Sequence, residues 1–382
     1  MNSDDDIIIT SAFRTPIGSF QGSLKNHKAT ELGTAVVKRC MEHSNLNGSE
    51  IDTVILGQVL QAGCGQNPAR QTAINSGIDI DKTATTINQV CGSGLAAVTL
   101  GFSSLKLNDA NIVIAGGQES MTNSPHYLNY RMEENLSEDK LKDTMLIDGL
   151  IDAYDDYHMG VTAENVAEKY QITRNDQDSF AFNSQKKAIK AISENKFKEE
   201  IVPIKLKDQK FFDKDEYPRA DTNLEKLSNL KTVFKKNGTV TAGNASGLND
   251  GAAAVTLMNY KTSKDKGLKP IAKIVSWAQS GVDPKLMGTG PIPASKLALK
   301  KAGWNINDLD LVESNEAFAA QSVAVIKELG LKNDIVNVNG GAIALGHPIG
   351  ASGARILVTL IHEMQKRKCK KGLATLCIGG GM

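Results

Sequence analysis

Cys91 stands in Ile87–Val98, INQVCGSGLAAV, a stretch whose residue types and spacing favour a reactive sulfur. KTATTINQV before it is rich in Thr, Ile and Val and reads as a strand. Leu95–Leu107 after it is apolar nearly all round and reads as a buried helix. Gly92, Ser93 and Gly94 permit a sharp turn between the two, which places Cys91 beside the first unsatisfied N–H groups of the helix. The positive end of a helix dipole favours thiolate, the nucleophilic form. Taken alone, a cysteine in such a setting is more often a buried structural thiol, so its partners decide between the readings.

Candidate partners sit in other glycine-rich turns. His347 lies in GHPIGASG, between a strand pattern and a helix expected at Ala351–Lys366. It reads either as a satisfied structural imidazole or as a base facing a nucleophile. Cys377 in CIGGGM is either a small core residue or a second sulfur beside backbone freed by three glycines. In SNEAFAA, Asn315 suits a helix N-cap or the fixing of a water or an oxyanion. TAGNASG at 241–247 is compatible with a plain turn or with a loop laid along an extended ligand. Arg219 and His158-Met159-Gly160 say little by themselves.

The elements that must position these groups repeat. Residues 6–10, a helix at Ala29–Ser44, a strand at Thr53–Leu56, the Cys91 strand and helix, and a strand at Asn111–Ala115 alternate as in an α/β sheet. From Pro270 the pattern restarts: IAKIVSWAQSGVDP parallels the opening strand, and Leu309–Glu313 with SNEAFAAQSVAVIKEL parallels the second strand and helix. IVNVNGGAIALGHPIGASGARILVTLI parallels the Cys91 unit, and GLATLCIGGGM parallels NIVIAGGQESM. Two similar halves follow, with the loop-rich region from Thr122 to about Asn237 inserted into the first. Such a duplication brings the turn bearing His347 against the turn bearing Cys91. The first half has one further strand, GAAAVTLMN, for which the second half offers no counterpart before Met382. That difference is expected to leave backbone groups unpaired and to loosen the Cys377 loop.

At 382 residues the chain exceeds one ordinary core. Its 44 basic and 43 acidic residues give a formal net charge of +1, so nucleic acid and anionic membrane surfaces meet no bulk field. Five cysteines without a CxxC pair, and an acidic start, MNSDDDIIIT, lead to the expectation of a cytoplasmic protein in a reducing compartment. Nucleotide phosphate loops and metal-hydrolase patterns are lacking, and no metal site is expected.

SAFRTPIGSF, GQNPARQ, NQVCGSGL, YHMGVTAENVA, TVTAGNASGLNDGAA, SNEAFAAQ, NVNGGAIALGHPIGASGAR and CIGGGM, in this order, resemble the biosynthetic branch of the thiolase family over essentially the whole chain. The resemblance implies an α/β fold with a duplicated αβαβα five-layer core and an inserted loop domain. Its parts would be 1–118 plus 248–268, 119–247, and 269–382 with the final strand lacking. It implies that Cys91 carries an acyl group, that His347 activates it, and that Cys377 takes the α-proton of a second substrate. Asn315 would hold a water for the enolate, and the N–H groups of Cys91 and Gly379 would form an oxyanion hole. Coenzyme A would meet His158, Met159, Ala242, Ser246, Leu248 and Phe318, with Arg219 toward its phosphates. The activity implied is reversible condensation of two acetyl-CoA to acetoacetyl-CoA and CoA, with CoA thioesters as substrates and no resident cofactor. A homotetramer built from dimers through the charged loop Tyr127–Asp143 is implied as well. A thiolase of broader chain length and a low-activity acyl-CoA-binding homologue are the alternatives. A β-ketoacyl synthase would need a histidine in place of Asn315. Gln118 departs from the family's usual GGMES, and a change of packing is expected there.

Overall fold

The computed structural model describes residues 3–132 and 137–382; the central part of the Tyr127–Asp143 loop, 133–136, lies outside the described residues. A first sheet grows from β1 (Ile7–Arg14), β2 (Thr53–Gly57), β3 (Thr83–Ile87), β4 (Ile112–Ser120) and β5 (Asn249–Asn259). β1, β4 and nearly all of β5 are buried, as their continuous apolar runs require for strands covered on both faces. The order is Ala272–Lys273, β1, β5, β4, β2, β3. β2 is parallel to β3 and β4, and its Gly57 lies opposite both Ile87 and Gly117. β2 and β3 therefore end together and β4 runs on past them to Ser120, at the edge where α/β proteins build ligand sites.

Helix α1 (Ala29–His43) covers one face, with Leu32, Val36 and Val37 packed among Leu56, Ile114 and Met258. The other face is covered by α2 (Ser93–Lys106) together with a helix from the second half. The insert supplies α3 (Met159–Lys169) and α4 (Arg174–Ser193), and the second half supplies α5 (Pro291–Ala302), α6 (Ala319–Leu329) and α7 (Ile349–Arg367). Ala97 and Val98 of α2 and Ala354, Val358 and Ile361 of α7 share a core with Val113, Val255 and Leu257. Beyond α7 lies the parallel pair β6 (Leu311–Ser314) and β7 (Gly372–Thr375). α5 and α6 close that side through Ile292, Leu299, Val325 and Leu329. The result is five layers, helix and sheet alternating.

The two central helices cross on glycine. A Cβ on Gly94 would stand 2.8 Å from the Ala354 nitrogen, and one on Gly353 would stand 2.5 Å from the Leu95 nitrogen. CGSG and GASG thus meet reciprocally because each offers its neighbour a position without a side chain.

Three expectations change. β4 continues through GGQES to Ser120. Its glycines serve close approach rather than a turn: a Cβ at Gly116 would lie 2.0 Å from Ala253 O, and at Gly117 2.0 Å from Gly350 O. The second sheet is smaller than a full duplicate of the first. IVNVNGG forms no strand: Val336 makes a single bridge to Val312, and Asn337, at φ 43°, turns the backbone away. Of IAKIVSWAQSGVDP only Ala272–Lys273 is a strand, paired with β1. A cavity of about 660 Å³, lined by Phe102, Trp277, Leu357, Leu360 and Leu373 among others, lies between the rest of that segment and β7. Thirdly, the Cys377 loop is tied down rather than loose. Val282 N donates to Gly381 O at 2.8 Å, and Ile378 and Met382 exchange backbone hydrogen bonds.

Candidate active site

The turn that carries Cys91 begins where β3 ends. Val90 has φ 44°, a left-handed conformation that costs a β-branched residue on the order of 1–3 kcal/mol. Local hydrogen bonds hold it. Ser93 Oγ donates to Val90 O at 2.6 Å and accepts from Gln89 N at 2.8 Å, while Asn88 Oδ1 accepts from Val90 N at 2.9 Å. A Cβ on Gly92 would stand 2.3 Å from Ile378, so this turn lies flush on the loop of Cys377.

Burial pushes the Cys91 thiol up to about 11, and the N–H groups of Gly379 and of Cys91 itself, both directed at the sulfur, lower it only in part. Cys91 packs among Val59, Leu60, Met121, Met145, Leu248 and Ile349. The expectation of a thiolate preformed by the helix dipole therefore gives way: α2 starts at Ser93, and the apolar pocket outweighs the helix end. At rest Cys91 is a thiol and requires a base.

His347 is held by the second-half turn and by β5. Its backbone N donates to Asn249 Oδ1 at 2.8 Å. Its Nδ1 lies 2.6 Å from Ser352 Oγ, and Ser352 donates its single proton to Pro348 O at 2.9 Å. The hydroxyl must then accept from Nδ1–H, which leaves the lone pair on Nε2. Burial, with Arg355 nearby, lowers the imidazole to about 3, so the ring is neutral. Thiol and imidazole are thus both neutral at rest.

Cys377 follows β7 and is fully buried; burial and the nearness of Cys91 hold its thiol well above the usual range, which makes its thiolate a strong base. Asn315 follows β6, where its N donates to Thr375 O at 2.9 Å. Its side-chain Oδ1 and Nδ2 are buried and have no hydrogen-bond partner among the described residues. It caps no helix, since α6 begins at Ala319 behind Phe318.

A second apolar wall contains Met159, Ala245, Phe318 and Cys377. Phe234 joins it: the His158 ring stacks on Phe234 at 4.5 Å, and Phe234 meets Phe318 edge-on at 6.4 Å. The loop 241–247 is fastened to SNEAFAA through Ser246 N to Ala317 O at 3.0 Å and Ala319 N to Asn244 O at 2.8 Å. Ala242 and Arg219 are exposed, outside both apolar clusters; the Arg219 guanidinium lies over the Tyr217 ring at 5.6 Å. Asn249, Ser352 and Phe234 join the site from outside the sequence candidates. Only Ser352 carried a signal, since it stands in GASG where Ser93 stands in CGSG.

Residues 7–261 match the thiolase N-terminal domain and residues 268–382 the thiolase C-terminal domain, and the chain belongs to the thiolase family. Among its relatives, the acetyl-CoA acetyltransferase of Pseudomonas aeruginosa is 56% identical over 381 residues, 98% of this chain and 97% of that protein. The acetyl-CoA acetyltransferase of Paracoccus denitrificans is 57% identical over 378 residues, again 98% and 97% of the two chains. The crystal structure of the Bacillus anthracis acetyl-CoA acetyltransferase matches with a TM-score of 0.96 at 46% identity, covering 98% of this chain and 96% of that one.

Proposed function

We propose that this chain is an acetyl-CoA acetyltransferase, condensing two acetyl-CoA to acetoacetyl-CoA and CoA through an acetyl group on Cys91. The observation that carries the reading is the pairing of two thiols, Cys91 lying close enough to Cys377 to raise its thiol, with the N–H groups of Gly379 and Cys91 aimed at the Cys91 sulfur. His347 Nε2 takes the thiol proton as Cys91 Sγ attacks the thioester carbonyl. The oxyanion settles on the two N–H groups, and the proton passes to the departing CoA sulfur. Cys377 then passes its thiol proton to His347 and, as a thiolate, removes a proton from the methyl carbon of the second acetyl-CoA. Asn315 and protonated His347 stabilise the enolate oxygen, the carbon attacks acetyl-Cys91, and the freed Cys91 sulfur is reprotonated. Met159, Phe234 and Phe318 form the apolar wall for the acyl and pantetheine end, with Ser246 and Leu248 alongside and Arg219 toward the phosphates.

Purified protein tests this through thiolysis of acetoacetyl-CoA by CoA, together with mass analysis of the Cys91 peptide. Turnover with an acetylated Cys91 is the expected result. Binding of acyl-CoA without either would favour a binding homologue, and faster turnover of longer 3-ketoacyl-CoA a broader thiolase. The same reading includes a cytoplasmic location, in line with five free cysteines, and a homotetramer built from dimers. In support of the latter, Tyr130 and Met132 are 70% and 78% exposed on the loop entering 133–136. Light scattering on the purified protein gives the mass that decides it.

A further inference from the structure

Glu119 closes β4 as a fully buried carboxylate, and no step of the proposed reaction uses it. Its Oε2 accepts from Val59 N at 3.0 Å and from Gly350 N at 2.9 Å, and its Oε1 accepts from Leu60 N at 3.3 Å. These donors come from both halves. Val59 and Leu60 follow β2 and pack against Cys91, whereas Gly350 opens α7, three residues after His347. The fit is close: a Cβ on Gly350 would lie 2.6 Å from Glu119 Oε2 and 2.9 Å from the Gln58 Cα. A side chain at 350 would therefore break the bridge.

All three partners are N–H donors, one of them at the positive end of a 19-residue helix, and such a set matches an ionised carboxylate. Burial and Asp250 act the other way and raise the group to about 7. A charge kept there against that penalty has a use beyond filling space. The titratable groups facing it are Asp250 on β5, Cys64 beyond the Val59–Leu60 loop and Cys91 at the β3–α2 turn; its charge raises the two thiols.

We propose that Glu119 is a positioning residue of the thiolase reaction, tying the pocket wall of Cys91 to the helix start that follows His347 and so holding nucleophile and base at one spacing. This rests on the acetyltransferase reading for its turnover arm alone. Glu119→Gln keeps an oxygen for Val59 and Gly350 but places an amide N–H2 against Leu60 N and removes the charge; Glu119→Ala removes all three contacts.

Both variants are assayed for thiolysis and, separately, for the pH dependence of Cys91 alkylation without substrate. The expected kcat falls about tenfold in the Gln variant and about a hundredfold in the Ala variant, with KM for CoA within about twofold. The midpoint of alkylation moves to lower pH in each, because a negative charge near the thiol is gone. A strut without electrostatic contact with the site would not move that midpoint. Wild-type kcat in the Gln variant, or an unmoved midpoint, overturns the proposal; if the Ala variant does not fold, the Gln variant carries the test. Absence of turnover in the wild type would overturn the acetyltransferase reading, and alkylation would still judge Glu119.

Discussion

Ser352→Ala removes one oxygen from the buried side of α7 and tests the assignment of the base. Ser352 Oγ, 2.6 Å from His347 Nδ1, is the ring's hydrogen-bond partner on that side and keeps the proton on Nδ1. Alanine suits the helix, so the backbone around Ile349–Arg367 is retained. The imidazole must then leave Nδ1–H unsatisfied in a buried site, or move its proton to Nε2 and lose the lone pair proposed to take the Cys91 proton. A buried hydrogen bond left unmade costs about 1–3 kcal/mol. At about 1.4 kcal/mol per factor of ten, kcat for thiolysis falls roughly 5- to 150-fold. KM for CoA stays near the wild-type value, because Ser352 lies behind the ring rather than along the CoA path. Rapid-quench acetylation of Cys91 slows by the same factor, which places the defect in proton transfer. A Ser352→Ala enzyme that melts like the wild type and keeps kcat within twofold would refute this tautomer assignment.

Gly353→Ala puts a methyl 2.5 Å from the Leu95 nitrogen, forcing α2 and α7 apart; thermal melting followed by circular dichroism is expected to show a loss of about 1–3 kcal/mol, with activity falling in parallel. Cys377→Ala leaves Cys91 open to acetylation but lowers condensation by about a hundredfold or more, which mass analysis beside turnover distinguishes. His347 gives a pH signature. Its folded pKa of about 3 lies below the unfolded 6.5, so unfolding takes up a proton in that window and stability falls as pH drops from 6.5 toward 3. Glu119 and Glu313, raised by burial to about 7 and about 8, act with the opposite sign over part of the range. The measurement is therefore the difference between wild type and His347→Asn in urea midpoints read by circular dichroism: the variant loses less stability on acidification, and parallel curves would contradict the buried neutral ring.

Much of the site was legible because its groups lie in short glycine-bearing turns repeated at matching places in two halves. Cys91, His347, Asn315 and Cys377 each follow a strand or open a helix, and duplication gives those turns a reason to meet. What escaped was of two kinds. Glycine serves turns and close backbone approach alike, so GGQES read as the end of a strand although Gly116 and Gly117 keep β4 running between β5 and α7. Hydrogen bonds between distant segments leave no local pattern. Asn249 holds the His347 backbone across 98 residues, and Glu119 reaches Gly350 across 231. At Cys91 the helix end favours thiolate, but desolvation by Met121, Met145 and Ile349, which only the folded chain displays, outweighs it. The second sheet fell short of its repeat because Asn337 turns the chain out of register and a cavity separates the 274–280 segment from β7.

That cavity has a spectroscopic consequence. The chain has two tryptophans, and both Trp277 and Trp304 line it. Intrinsic tryptophan emission is therefore a local reporter of this cavity, whose wall also takes in Ile9 of β1 and Gln89 and Gly92 of the Cys91 turn. An apolar dye entering the cavity would light up in the native state and quench or accept energy from both indoles at once. Unfolding curves recorded by fluorescence would then date the collapse of this cavity, and any offset from the circular dichroism transition would measure how far the two halves melt as one.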